Sequence, residues 1–160
     1  MTEPSYRKRL MLLEELLADG ARLFKMLQES EEQLREQLIA GDYQELMEAE
    51  KERSFIQQHI ASLEERRKSL VPEGTGLQKY ILTTIQKSRQ ADLLLKLTRV
   101  TEQLKTIKVF HEVNKVLMEE RLRFTRELQE SLLEARLTYD ERGQLKNEDK
   151  GPAKNLDRNC

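Results

Sequence analysis

Residues 10–38 read LMLLEELLADGARLFKMLQESEEQLREQL, and Leu10, Leu13, Leu17, Phe24, Leu27, Leu34 and Leu38 fall on an alternating three-and-four spacing. That period places them on one face of a helix. Gly20 and Glu31 take the two stripe positions that are not apolar. The spacing predicts one amphipathic helix over residues 5–40. Gly41 then stops it, and Asp42, followed three residues on by Glu45, reads as an N-cap with a capping-box partner. A second helix over 42–70 begins at once, and a joint of two residues forces the pair antiparallel. It repeats the spacing through Leu46, Ala49, Ile56, Ile60, Leu63 and Leu70, and it closes on Arg66, Arg67 and Lys68, cations suited to the negative end of a helix dipole.

Val71-Pro72-Glu73-Gly74-Thr75-Gly76 is the compact breaker cluster of the first 140 residues and reads as a loop. Beyond it, Tyr80, Ile81, Leu82 and Ile85 predict a short helix over 77–88. A long helix follows over 90–137, with a stripe of Leu93, Leu97, Val100, Leu104 and Ile107. His111 and Asn114 then stand where apolar residues are expected, before Met118, Leu128 and Leu132 resume the pattern. At 1.5 Å per residue this helix is roughly 70 Å long against roughly 40 to 55 Å for the first two, so it is expected to overhang the hairpin. Residues 140–160 are polar and offer too little apolar surface to offset ordering, which predicts a disordered tail. The expected architecture is all-α: a long antiparallel hairpin, a short crossover helix and a third long helix in an elongated bundle, forming one domain over 1–139.

Charge narrows the function. Twenty-eight Lys plus Arg face 29 Asp plus Glu, with no region strongly of one sign, which argues against a nucleic-acid partner. No apolar run approaches the roughly 18 residues of a membrane span, so no membrane insertion is expected. The first residues lack the uninterrupted apolar stretch of a secretory signal, and a cytoplasmic protein is predicted. Cys160 is the lone cysteine, without a partner for a disulfide or a thiolate metal site. His111-Glu112-Val113-Asn114 lacks the second histidine of a zinc-protease helix, and neither His59 nor His111 has a glutamate three residues before it, as a di-metal bundle requires. Gly74-Thr75-Gly76 lacks the rest of a phosphate loop. No catalytic residue, metal or cofactor is expected.

The last helix carries a surplus of apolar residues. Phe110, Val113, Leu117, Leu122, Phe124, Leu128, Leu132, Leu133 and Leu137 lie on more than one stripe, wider than packing on one hairpin requires. Either a partner covers them or the chain associates with itself through that face as a homodimer. Periodicity fits both.

The order of several motifs resembles a known family. Leu12-Leu13-Glu14-Glu15-Leu16-Leu17, then Gly41-Asp42-x-x-x-Leu46 with Glu50-Lys51, then Leu63-Glu64-x-Arg66-Arg67-x-x-Leu70 is similar to the hairpin of FlgN-type flagellar export chaperones. Asn114-x-x-Leu117 and Tyr139-x-x-x-Gly143-Gln144 are similar to that family's closing pattern, and the resemblance covers about residues 5–144. It implies a non-catalytic cytoplasmic chaperone that holds the C-terminal helical segments of hook-filament junction proteins, prevents their premature assembly and helps deliver them to the flagellar type III export apparatus. Carried over to this sequence, the partner-binding residues are Leu117, Phe124, Leu128, Leu132, Leu133, Leu137 and Tyr139. His111 and Asn114 are then expected to discourage a permanent homomeric seam. The stretch from Leu145 to Cys160 has no role in the resemblance. The competing expectation is a structural coiled-coil adaptor that works as a homodimer without a secreted client.

Overall fold

The computed structural model describes residues 3–138 and the side chains of 5–135. Four helices account for nearly all of them: α1 (Glu3–Ala40), α2 (Tyr43–Leu70), α3 (Leu77–Thr84) and α4 (Lys87–Thr138). The described residues contain no strand, so the fold is all-α as the periodicity predicts. The chain divides into two compact units, Met1–Met118 and Glu119–Cys160. The expectation of disorder over 140–160 lies outside the described residues.

In the first unit the turn between α1 and α2 forms as its residues dictate. Gly41 adopts φ 88°, the left-handed conformation that glycine alone enters without a Cβ penalty, and its N–H donates to the Gln37 carbonyl at 3.0 Å. The Asp42 carboxylate then accepts from the backbone N–H groups of Gln44 and Glu45 at 2.9 and 3.0 Å, satisfying two of the free donors of α2. Asp42→Ala is expected to lower stability by about 1 kcal/mol, read as a shifted urea midpoint with an unchanged slope. At its other end α2 stops at Val71, which is extended and buried, and Pro72 and Gly74 carry the chain around the loop.

Three apolar layers hold the first unit together. Leu13, Leu17, Val71, Tyr80, Ile81, Ile85 and Leu93 form the layer into which α3 is set. Phe24, Leu27, Ile56, Val100 and Ile107 form the middle layer. Leu34, Leu38, Leu46 and Ala49 form the third, with Leu117 and Met118 packed against them. The buried part of α1 is wider than its stripe, because Leu16 and Leu23 are also covered. Helix α1 meets two neighbours: next to Gly20, Leu63 of α2 and Val100 of α4 lie on either side.

A Cβ built on Gly20 would stand 3.6 Å from Leu63 Cδ2 and 3.9 Å from Val100 Cγ1, which are ordinary contact distances. Glycine inside a helix costs about 1 kcal/mol relative to alanine. Gly20→Ala should therefore stabilise the chain and raise its thermal midpoint by about 2–4 °C in a calorimetric scan.

The crossover differs from expectation. Helix α3 ends at Thr84 rather than at 88, and α4 starts at Lys87 rather than at 90. Ile85 is extended (φ −97°, ψ 142°) because that backbone turns its side chain into the first layer, where it is 4% exposed. The carbonyls freed by the break are not left bare: the Gln90 side-chain amide donates to Leu82 O at 3.1 Å and to Ile85 O at 2.7 Å. The Gln86 N–H donates to the Tyr6 hydroxyl at 3.2 Å.

Candidate functional site

The second unit contributes the stretch of α4 from Glu119 onward. At 100° per residue, Phe124, Leu128 and Leu132 follow one another at i, i+4 and i+8 on one stripe. Leu122 and Leu133, eleven residues apart, share a second stripe about a third of a turn away. All five are exposed, at 64, 50, 58, 52 and 59% in the order just given. Thr125 and Gln129 lie between the two stripes, and on the opposite side Arg123 pairs with Glu120 at 2.6 Å and with Glu127 at 3.7 Å. These pairs are solvated and contribute little to stability. The segment therefore has an ion-paired side fitted to water and, opposite it, two apolar stripes that a protein surface can cover.

The seven residues carried over from the resemblance fall in different places. Phe124, Leu128, Leu132 and Leu133 share the exposed face, and Leu122 joins them. Leu117 stands apart, partly buried in the first unit against the layer of Leu34, Leu38, Leu46 and Ala49. Leu137 lies in α4, but its side chain and the whole of Tyr139 are outside the described residues. In the first unit, Val113 is 41% exposed, while Phe110 is partly covered and has the Arg35 guanidinium 5.4 Å from its ring centroid.

A second feature lies within the first unit, between its middle and third apolar layers. Glu31 is 1% exposed, and Asn114 is 3% exposed. The Asn114 amide donates to the Glu31 carboxylate at 2.7 Å and to the Glu31 main-chain carbonyl at 2.8 Å. Arg53 of α2 donates to the same carboxylate at 3.3 Å and also pairs with Glu50 one turn away. His111 Nδ1 stands 3.3 Å from both Glu31 Oε1 and Arg53 Nη1. With the proton on Nδ1 it donates to the carboxylate; in the other tautomer it accepts from Arg53.

The electrostatics follow from that geometry. Burial works against the Arg53 charge, but the hydrogen bond and charge of Glu50, followed by those of Glu31, outweigh it and hold the guanidinium above its ordinary value. The stripe gaps at Glu31 and at Asn114 are thus two sides of one contact that ties α4 to α1, with α2 supplying the cation. Arg53 and Glu50 were not legible from the sequence, where they stand in a run of charges; the signal available was that two buried-face gaps on different helices were both polar.

Other residues weighed for chemistry are accounted for locally. His59 Nδ1 lies 2.9 Å from the Phe55 carbonyl, and its ring sits 4.3 Å from the Phe55 ring. Among the described residues no group of three or more His, Cys, Asp or Glu could hold a metal ion. No described helix is long and apolar enough to cross a membrane. Comparison with protein-family models, with curated proteins and with solved structures finds no match to this chain.

Proposed function

We propose that the chain is a cytoplasmic export chaperone of the flagellar type III pathway, which covers the C-terminal helical segments of hook-filament junction proteins until they reach the export apparatus. The observation that carries the reading is the exposed apolar face of Leu122, Phe124, Leu128, Leu132 and Leu133. The core layers of the first unit already bury their own leucines and isoleucines, so this face is surplus to that core. An apolar face of this width on a helix is the form that takes an amphipathic partner helix, with anchors repeating every three to four residues. The likeness of the hairpin motifs to FlgN-type chaperones supplies the identity of that partner. The reading is non-catalytic and needs no cofactor.

The alternative occupant of the same face is a second copy, as in a homodimeric adaptor. Light scattering behind a sizing column separates the two. The chaperone reading expects a monomer mass that rises by one segment when a junction-protein C-terminal segment is added. A dimer mass at low concentration, unchanged by the segment, would move the assignment to the adaptor.

A further inference from the structure

Beside the first apolar layer, the ends of α1 and α2 and the side of α3 enclose a groove of about 400 Å³. Its lining includes Ser5, Lys8 and Arg9 from α1, Lys68 and Ser69 from the end of α2, and Tyr80 from α3. Among the described residues no carboxylate lines it. Lys68 already pairs with Glu65 at 2.8 Å. Lys8 and Arg9 are exposed and make no ion pair among the described residues, which leaves two uncompensated positive charges at the rim. Ser5 stands in the first turn of α1, so the positive end of that helix dipole adds to them.

Tyr80 brings a polar side chain to the groove's lining. The residue is 4% exposed, and its hydroxyl is buried without a hydrogen-bond partner. Leaving such a group unmade works against folding, and native proteins keep few of them. A tyrosine used for packing alone could be phenylalanine at this position without loss. An acceptor brought in by the cations would satisfy the hydroxyl once the flexible lysine stems reorient.

From this conjunction we infer that the groove is a binding site for a phosphate group, with Lys8 and Arg9 supplying the counter-charge and the Tyr80 hydroxyl a fixed donor. The charge count selects the ligand class. Phosphate monoesters and inorganic phosphate carry close to two negative charges at neutral pH, matching the two free cations, whereas a single carboxylate carries one. The source is either free phosphate or a small phosphomonoester, and both present the same three-oxygen face. The inference is independent of the client-binding face on the second unit.

The test uses the full-length chain at constant ionic strength. Inorganic phosphate and glycerol phosphate are titrated separately, with acetate as the control, while the thermal midpoint and the backbone amide shifts of the α3 residues are followed. Phosphate is expected to raise the midpoint and move those amides, and acetate to do neither. If glycerol phosphate binds more tightly than phosphate, the ligand is a monoester; the reverse order makes it the free ion. Tyr80→Phe should stabilise the free chain, because it removes the unsatisfied hydroxyl, yet weaken phosphate binding about tenfold. Lys8→Gln with Arg9→Gln should abolish the phosphate response and leave the unliganded midpoint nearly unchanged. A phosphate response of equal size in all three proteins, or none in the parent, would overturn the assignment.

Discussion

Glu31→Ala is expected to destabilise the chain by about 2–4 kcal/mol, the largest effect of any single substitution argued from this fold. The removed carboxylate takes one partner from Arg53, which keeps Glu50, and one from Asn114, which keeps the main-chain carbonyl at position 31, and both sit where water is largely excluded: the Arg53 side chain is 17% exposed and Asn114 3%. The loss is that of hydrogen bonds to a charged group, together with the space left by a fully buried side chain. The same reasoning predicts that Glu31→Leu, Arg53→Met and Asn114→Leu together recover most of the loss, because buried ionic groups exchanged for apolar side chains of similar volume are often neutral or stabilising. Urea unfolding of the parent, the alanine variant and the triple variant reads both outcomes. If the alanine variant unfolds within about 1 kcal/mol of the parent, the cluster is not a working tie between α1 and α4.

A second large effect is expected in binding and not in stability. Phe124→Ala, Leu128→Ala and Leu132→Ala combined should weaken the complex with a junction-protein segment by a hundredfold or more, since buried apolar anchors at an interface commonly contribute one to two kcal/mol each. These three side chains are 50 to 64% exposed in the chain alone, so truncating them removes little buried surface. The unfolding midpoint should stay within a degree or two of the parent. A triple variant that binds as the parent does would remove this face from the client site.

The hairpin was legible from the sequence because its signals are local. The three-and-four stripe of α1, the left-handed Gly41 and the Asp42 cap each act within a few residues, and the structure uses each of them. The break between α3 and α4 was not legible, since no glycine or proline marks it. The extended backbone at Ile85 is set by burial of its side chain among residues from α1, α2 and α4. The added burial of Leu16 and Leu23 has the same origin, because a stripe drawn for one neighbour is too narrow for a helix with two.

The candidate face was readable in part. Phe124, Leu128, Leu132 and Leu133 could be singled out as apolar beyond the needs of the stripe, and each is exposed. Leu117 has the same sequence character, but periodicity does not say which turns of α4 meet the third layer of the core, and Leu117 is partly buried there. The polar cluster was half visible. Glu31 and Asn114 were evident as interruptions, but their mutual contact depends on the axial register of α1 against α4, which no local pattern encodes.

On the proposed reading, the helix face from Leu122 to Leu133 holds a client. Calorimetric titration of the full-length chain with C-terminal segments of the hook-filament junction proteins tests it most directly, with the Phe124, Leu128 and Leu132 triple alanine variant run alongside. Tight one-to-one binding by the parent is expected, with a negative heat-capacity change from apolar burial, and its loss in the variant. No heat with any segment from a parent chain that is folded would contradict it.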